Sequence, residues 1–293
     1  MAKKEKQRKL IIVSGSKGGT GKSMVAGGML NCYLARGMTA ELLETDTSNP
    51  DVLSLVGNIP MQVVEGWGEY TGWESVARLA SASVADVAVL NSKAGDITAF
   101  ESLLRGQSRS SLSVEDWDMA KNELTDLLRA CGRQVVYMHV MRREPINVQL
   151  ALEVLPWLPD DVCKVAVRNL YYGRPEDFVH WETSSTRQLW LARGGFVLDW
   201  PAATDMTMLL IHRLATEAPA NPVNLEKITD YDLITGRVLL DTAKLLPIGN
   251  PAMLRKQGAN DGLVTSLVYF EHRINAAVAS LEKFLQTKEG TGL

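Results

Sequence analysis

The sequence predicts an α/β protein: a mostly parallel, twisted sheet flanked by helices, followed by a C-terminal helical extension. Three observations carry this. Short apolar runs rich in β-branched residues alternate with stretches of helical periodicity over residues 10–205. The first run ends in a glycine-rich loop that opens a helix, and after Asp205 the strand signals cease. Strands that alternate with helices imply right-handed βαβ crossovers and hence parallel pairing.

In chain order, Leu10-Ile-Ile-Val13 reads as a strand buried on both faces. From Lys22 to Arg36, Val25, Met29, Tyr33 and Leu34 recur at helical spacing, and Gly37 supplies a left-handed helix end. Leu42-Leu43, Val84 to Leu90, Val135 to Val140, Val162 to Val167 and Phe196 to Leu198 complete about six strands. Helices are expected near Ser113–Cys131, Asn147–Leu155 and Pro175–Arg193, and Ile59–Ser83, with Trp67 and Trp73, reads as an insertion between strands. Beyond it come helical stretches Met206–Ala215, Leu225–Leu246 and Leu263–Leu285, the last two separated by the turn-rich Pro247–Pro251. In the last helix Leu263, Leu267, Phe270, Ile274, Ala277, Leu281 and Phe284 form one apolar stripe that must pack on the domain or on a partner subunit. The organisation is thus a basic tail at 1–9, a nucleotide-binding domain at 10–205 and a helical extension at 206–293.

Composition narrows the function. The chain has 293 residues, 46% hydrophobic and 22% charged, which excludes disorder and fibrous classes. A net charge of −3 advertises no global affinity for nucleic acid or anionic membrane. The 3 cysteines, Cys32, Cys131 and Cys163, and the 4 histidines are scattered without metal-ligand spacing, so a reduced, cytoplasmic setting is expected. No apolar run is long enough to span a bilayer, and the polar side of 263–285 balances Arg273 and Lys283 against Glu271 and Glu282, so no membrane contact is expected.

The chemistry lies in Ser16-Lys-Gly-Gly-Thr-Gly-Lys-Ser23, between a strand and a helix. Glycine N–H groups at a helix N-terminus wrap phosphates. Lys22 suits the β- and γ-phosphates, and the Ser23 hydroxyl suits Mg²⁺. Lys17-Gly-Gly-Thr-Gly-Lys-Ser23 resembles the deviant Walker A motif of the ParA/MinD family of dimerising P-loop ATPases. The resemblance implies ATP or ADP and Mg²⁺ as ligands, held by Lys17, Gly18, Gly19, Thr20, Gly21, Lys22, Ser23 and Met24, and a homodimer in the ATP state in which Lys17 reaches the partner's nucleotide. Leu42-Leu-Glu-Thr-Asp46 sits where that family carries D-x-D: Asp46 would position the attacking water and Glu44 replaces the first aspartate. Asp46 also suits an N-cap for the segment that follows.

Asp86 to Gly95 resembles the family's Walker B strand and switch loop, with Asn91 in place of the aspartate. Asparagine offers a carbonyl oxygen but no charge, so if missing charge limits turnover, Asn91→Asp should raise it. Ser23, Asp46 and Asn91 are the candidate metal residues, and Lys93, where the family has proline, either offsets lost charge or points to solvent. Asn169 and Pro201 resemble the family's adenine-side residues; each also reads as an ordinary turn residue.

The expected activity is an ATP-dependent switch with slow hydrolysis, used in DNA or plasmid partition, positioning or conjugation. A protein that stimulates turnover, or is itself positioned, is the expected partner. Arg142, Arg143, Arg168, Arg174, Arg187 and Arg193 make non-specific DNA a further candidate, or form an ordinary solvated surface. The alternatives are a nucleotide-binding scaffold without hydrolysis and an ATP-dependent enzyme similar to CobQ or dethiobiotin synthetase.

Overall fold

A computed structural model of the chain describes residues 7–15, 17–46, 52, 59–104, 113–202 and 261–290. These form a seven-stranded sheet in the order β3-β2-β4-β1-β5-β6-β7, with every neighbour pair parallel. The strands are β1 (Lys9–Ser14), β2 (Ala40–Glu44), β3 (Met61–Val63), β4 (Val87–Asn91), β5 (Gln134–Met141), β6 (Cys163–Asn169) and β7 (Phe196–Trp200). The helices are α1 (Lys22–Ala35), α2 (Tyr70–Ala82), α3 (Asp96–Glu101), α4 (Val114–Ala130), α5 (Pro145–Val154), α6 (Val179–Glu182), α7 (Ser185–Ala192) and α8 (Asp261–Gly290).

The inner strands are largely apolar because both faces are covered. Leu10 and Ile12 face a core shared with α2, α4 and α5, whereas Ile11 and Val13 face a second core shared with α1 and α8. In α8, Phe270, Ile274, Val278, Leu281 and Leu285 are buried in that second core, each contributing about 1.5–3 kcal/mol. Phe284 stacks on Phe196 at 4.8 Å, and Glu282 takes the Lys9 ammonium at 2.7 Å and the Tyr33 hydroxyl. The stripe therefore closes the layer over α1 and β7. The side chains of Leu263 and Leu267 lie outside the described residues, as do Met206–Ala215, Leu225–Leu246 and Pro247–Pro251.

Four expectations change. The stretch 59–83 is not an insertion: Met61–Val63 is the edge strand and Tyr70–Ala82 the helix that returns to β4, burying Trp73, Val76 and Ala80 at helical spacing. The sheet accordingly has seven strands. The fourth begins at Val87, because the Asp86 carboxylate caps Thr39 N–H at 2.8 Å and Val84 stands in solvent. Pro175–Arg193 is interrupted: Ser184 accepts from Arg187 N–H as an N-cap and starts a new helix.

Helix α1 approaches β7 closely at Gly28, where a Cβ would lie 2.4 Å from the Trp200 ring. Gly28→Val should therefore destabilise the protein by about 1–3 kcal/mol through overpacking, read as a lower urea midpoint.

Candidate functional site

Strand β1 lies at the centre of the sheet with β4 on one side and β5 on the other. The crossovers run in opposite directions from this point, so a crevice opens beyond the carboxyl ends of the strands. The glycine-rich loop occupies it. Gly19 and Gly21 have φ of 73° and 90°, which side chains rarely adopt, and Gly21 is the N-cap of α1. A Cβ at Gly15 would meet the Val140 carbonyl at 2.8 Å, so the loop also leaves β1 flush against β5. Ser16 lies outside the described residues.

The two lysines of the motif differ. Lys22 is buried and its ammonium donates to the Gly15 and Lys17 carbonyls at 3.1 and 3.2 Å, inside the curve of the loop. Lys17 is exposed beside the exposed Gly18 and Gly19, while Ser23 and Met24 are half-buried in the first turn of α1 and Thr20 is buried.

The loop is fastened from the β6 side. The Asn169 amide donates to the Thr20 carbonyl at 2.8 Å, and its Oδ1 accepts from Tyr171 N–H at 3.1 Å. The Tyr172 hydroxyl donates to the Gly19 carbonyl, and the Arg142 guanidinium sits 4.5 Å over the Tyr172 ring while pairing with Glu144 at 2.5 Å. Sequence reasoning missed Tyr172 and Thr45 entirely; the only signal was their position one to three residues beyond a strand end. Asn169 is brought beside Pro201 by its pairing with Trp200 in the β6–β7 register.

On the other side of β1, the ends of β2 and β4 meet. Glu44 and Asn91 are register partners, and the Asn91 amide donates to both Glu44 carboxylate oxygens at 3.1 and 3.0 Å. Asp46 N–H donates to Glu44 Oε1 at 2.9 Å, which folds the strand end back on itself. Burial raises the Glu44 carboxyl to about 7, against the pull of the Asp46 N–H and the Asn91 amide. Asn91 Oδ1 is buried with no hydrogen-bond partner among the described residues. Thr45 links the same strand end to the loop after β4: its hydroxyl donates to the Asn91 carbonyl at 3.1 Å and accepts from Lys93 N–H at 2.5 Å. Asp46 is half-buried and Lys93 is exposed.

Of the six arginines considered for DNA, four face carboxylates of this chain. Arg142 pairs with Glu144, Arg168 holds Asp199 at 2.6 Å and Glu182 at 2.5 Å, Arg187 lies 3.2 Å from Glu182, and Arg174 lies 3.7 Å from Glu176. Arg193 donates to the Leu155 carbonyl, and Arg143 is exposed.

With this geometry established, the chain can be set beside known proteins. It is 26% identical over 250 residues to Protein MobD of Acidithiobacillus ferrooxidans, a match that spans 85% of this chain and 92% of that protein. Among solved structures it is similar to a nucleotide-binding protein of Archaeoglobus fulgidus in complex with ADP, at a TM-score of 0.40 and 12% identity over 70% of this chain and 84% of the other. It is also similar to a plasmid partition protein of Borrelia burgdorferi, at a TM-score of 0.38 and 12% identity over 72% of this chain and 97% of the other. No protein-family model matches the chain. Among the described residues no helix is long and apolar enough to cross a membrane.

The residues at the strand ends suit a nucleotide with its metal. Two positive-φ glycines and a helix N-terminus give phosphate oxygens N–H donors without side-chain obstruction, and nothing within 4 Å would meet a Cβ at Gly18 or Gly19. Mg²⁺ takes hard oxygen ligands and keeps several waters. The Ser23 hydroxyl, the Asp46 carboxylate and the buried Asn91 carbonyl, which has no partner among the described residues, are a donor set of that kind.

Proposed function

We propose that the chain is an ATP-dependent dimerising switch of the ParA/MinD type, and the observation that carries this is the division of labour between its two loop lysines. Lys22 lies inside the loop, where its ammonium meets the β- and γ-phosphates. Lys17 is exposed at the rim, where a side chain can reach the nucleotide of a second copy. Mg²⁺, when bound, neutralises charge on the phosphate oxygens. Gly18 to Gly21 present backbone N–H groups to the phosphates, Ser23 and Asn91 orient the metal's surroundings, and Asp46 accepts a proton or hydrogen bond from the attacking water. Asn169 and Pro201 flank the base. Catalysis of this kind is positioning and electrostatics, so slow hydrolysis suits a device whose ATP state is the signal.

The similarity to Protein MobD, together with the partition-type motif, supports a role in plasmid maintenance or conjugation with a protein partner that is positioned or that stimulates turnover. DNA contact through the arginines has less support, since four of the six named above are paired with carboxylates of this chain. The second reading, a scaffold that retains ATP without hydrolysing it, is favoured by Asn91 together with Glu44, because a neutral side chain stands where a charge is expected and a glutamate where the first aspartate is expected.

Two measurements test the proposal. After incubation with Mg-ATP and removal of free nucleotide, the protein should retain nucleotide and convert it slowly to ADP; retained, unconverted ATP selects the scaffold, and absence of bound nucleotide overturns both readings. Lys17→Ala should bind ATP as the parent does yet remain monomeric in ATP by light scattering, and an unchanged dimer would remove Lys17 from the interface.

A further inference from the structure

We infer that Glu44 and Asn91 act as one unit, in which the Glu44 carboxylate at the end of β2 orients and polarises the neutral Asn91 at the end of β4 toward the nucleotide's metal. This rests on the nucleotide-binding reading above. In phosphate-loop proteins the metal stands on the loop Ser or Thr and on an aspartate at a neighbouring strand end. Here the residue next to the root of the loop, paired with Val13 of β1, is Asn91. An asparagine in that place with no other change would leave the metal with one charge fewer.

The contact between the two side chains couples Asn91 to the charge that the end of β2 carries. The Asn91 amide nitrogen lies 3.1 and 3.0 Å from the two oxygens of Glu44, and the two residues are 3% and 1% exposed. An amide facing a carboxylate must present its NH₂, so the orientation of Asn91 is fixed by Glu44: the nitrogen is held and the carbonyl oxygen is directed to the other side. That oxygen is the buried atom without a partner among the described residues. A buried carbonyl is ordinarily hydrogen-bonded, and one left over at the strand ends beside a phosphate loop is an acceptor awaiting a donor. A water on Mg²⁺ is such a donor. The carboxylate polarises the amide through the two hydrogen bonds, so Asn91 meets the metal's water with a more electron-rich oxygen while the formal charge sits one residue pair away.

The same contact constrains what position 91 tolerates in this chain. An aspartate at 91 would bring two carboxylates into contact in a buried setting, where like charges repel strongly. Asn91→Asp alone therefore sets two carboxylates against each other. Keeping one amide and one carboxylate in contact requires the exchange of both residues. Glu44 is a positioning residue in this scheme: it acts through Asn91.

The test uses full-length protein at about pH 8.5, above the value of about 7 to which burial raises Glu44, so that its carboxylate is ionised, and four sequences: the parent, Glu44→Gln, Asn91→Asp and the double exchange Glu44→Gln with Asn91→Asp. Two quantities are read, the urea midpoint without nucleotide and the ratio of ATP affinities with and without Mg²⁺. Asn91→Asp should lower the urea midpoint, and the double exchange should restore it, because one amide and one carboxylate then face each other again. Glu44→Gln, which keeps a hydrogen-bonding pair but no charge, should lose at least about tenfold of the Mg²⁺-dependent gain in affinity, and the double exchange should recover it. A Glu44→Gln protein with the parent's full Mg²⁺ gain would overturn the inference, as would an Asn91→Asp protein that is as stable as the parent and gains more from Mg²⁺. If the parent shows ATP affinity without any Mg²⁺ dependence, the inference fails while the nucleotide reading stands. If the parent binds no ATP, the functional reading itself fails and takes the metal inference with it.

Discussion

Lys22→Ala is expected to lose nucleotide binding while the protein remains folded. The ammonium of Lys22 is buried and donates to the Gly15 and Lys17 carbonyls, both within its own loop. Removal therefore relaxes one turn of chain and leaves the two cores untouched. Toward a triphosphate the same ammonium faces full negative charges in a partly desolvated crevice. Truncating one partner of such a charge pair costs about 2–5 kcal/mol, a rise in Kd of roughly thirty- to several-thousand-fold. Titration with a fluorescent ATP analogue reads this directly, and the unfolding free energy from urea denaturation beside it should fall by no more than about 1–3 kcal/mol, the cost of removing a donor from loop carbonyls. Affinity within about threefold of the parent would place the phosphates elsewhere and end the phosphate-loop reading. The contrast with Lys17→Ala is the sharper part of the experiment: the buried lysine should govern affinity, and the exposed one should govern association.

The glycine-rich loop between β1 and α1 was legible in the sequence because its signals are local. Glycines at fixed offsets, a lysine and a serine lie within eight residues, and each element that frames them leaves its own trace, an apolar run before and a 3.6-residue period after. Strands β4, β5, β6 and β7 were legible for the same reason, since burial on both faces writes continuous apolar runs. The edge strand was not. Met61 and Val63 are 37% and 41% exposed, and three residues against a single neighbour leave neither a run nor an alternation to read. Helix α2 behind it does carry a helical pattern in Trp73, Val76, Ala77 and Ala80, but Gly66, Gly68 and Gly72 around it suggested a loop. In fact Gly72 is required by packing, since a Cβ there would meet the Gly66 carbonyl at 2.6 Å.

At the site, what escaped the sequence was partnership. Glu44 and Asn91 are each visible as candidates, yet they are 47 residues apart, and their contact exists only because β2 and β4 pair in one register. The reading of Asn91 changes once that contact is known: an isolated asparagine has no fixed orientation, whereas an asparagine whose amide is held by a buried carboxylate has its carbonyl oxygen directed away from it. Asn169 is a parallel case. Resemblance places it at the base, and geometry adds that its amide is committed to the Thr20 carbonyl, so it also shapes the phosphate loop. Long-range hydrogen bonds of this kind have no periodicity, and only the assembled sheet reveals them.

The largest expected loss of stability lies at the opposite end of the sheet, at a residue with no motif. Arg133 is 7% exposed, and its guanidinium donates to four backbone carbonyls: Ala80 at 2.7 Å, Ser83 at 2.8 Å, Ala85 at 2.9 Å and Lys9 at 3.1 Å. These carbonyls belong to the end of α2, the turn into β4 and the start of β1. One planar, five-donor group thus joins three segments whose own backbone partners have run out. Arg133→Met would retain most of the side-chain volume while removing a donor from each of the four carbonyls; Ser83 keeps the Arg8 guanidinium at 2.8 Å, and the others cost about 1–3 kcal/mol for each that water cannot reach. Because these groups lie near the strand N-termini, where some rehydrate, the expected total is about 3–5 kcal/mol in urea denaturation. Arg133→Lys, with three donors on a single nitrogen, should recover only part of it. At temperatures where the variant is folded, its ATP affinity should match the parent's, since the guanidinium acts at the ends of β1 and β5 remote from the glycine loop. A loss below about 1 kcal/mol would mean that solvent substitutes freely for the guanidinium, and that the junction between α2, β4 and β1 is held by packing of Leu79, Ala80 and Leu128 instead.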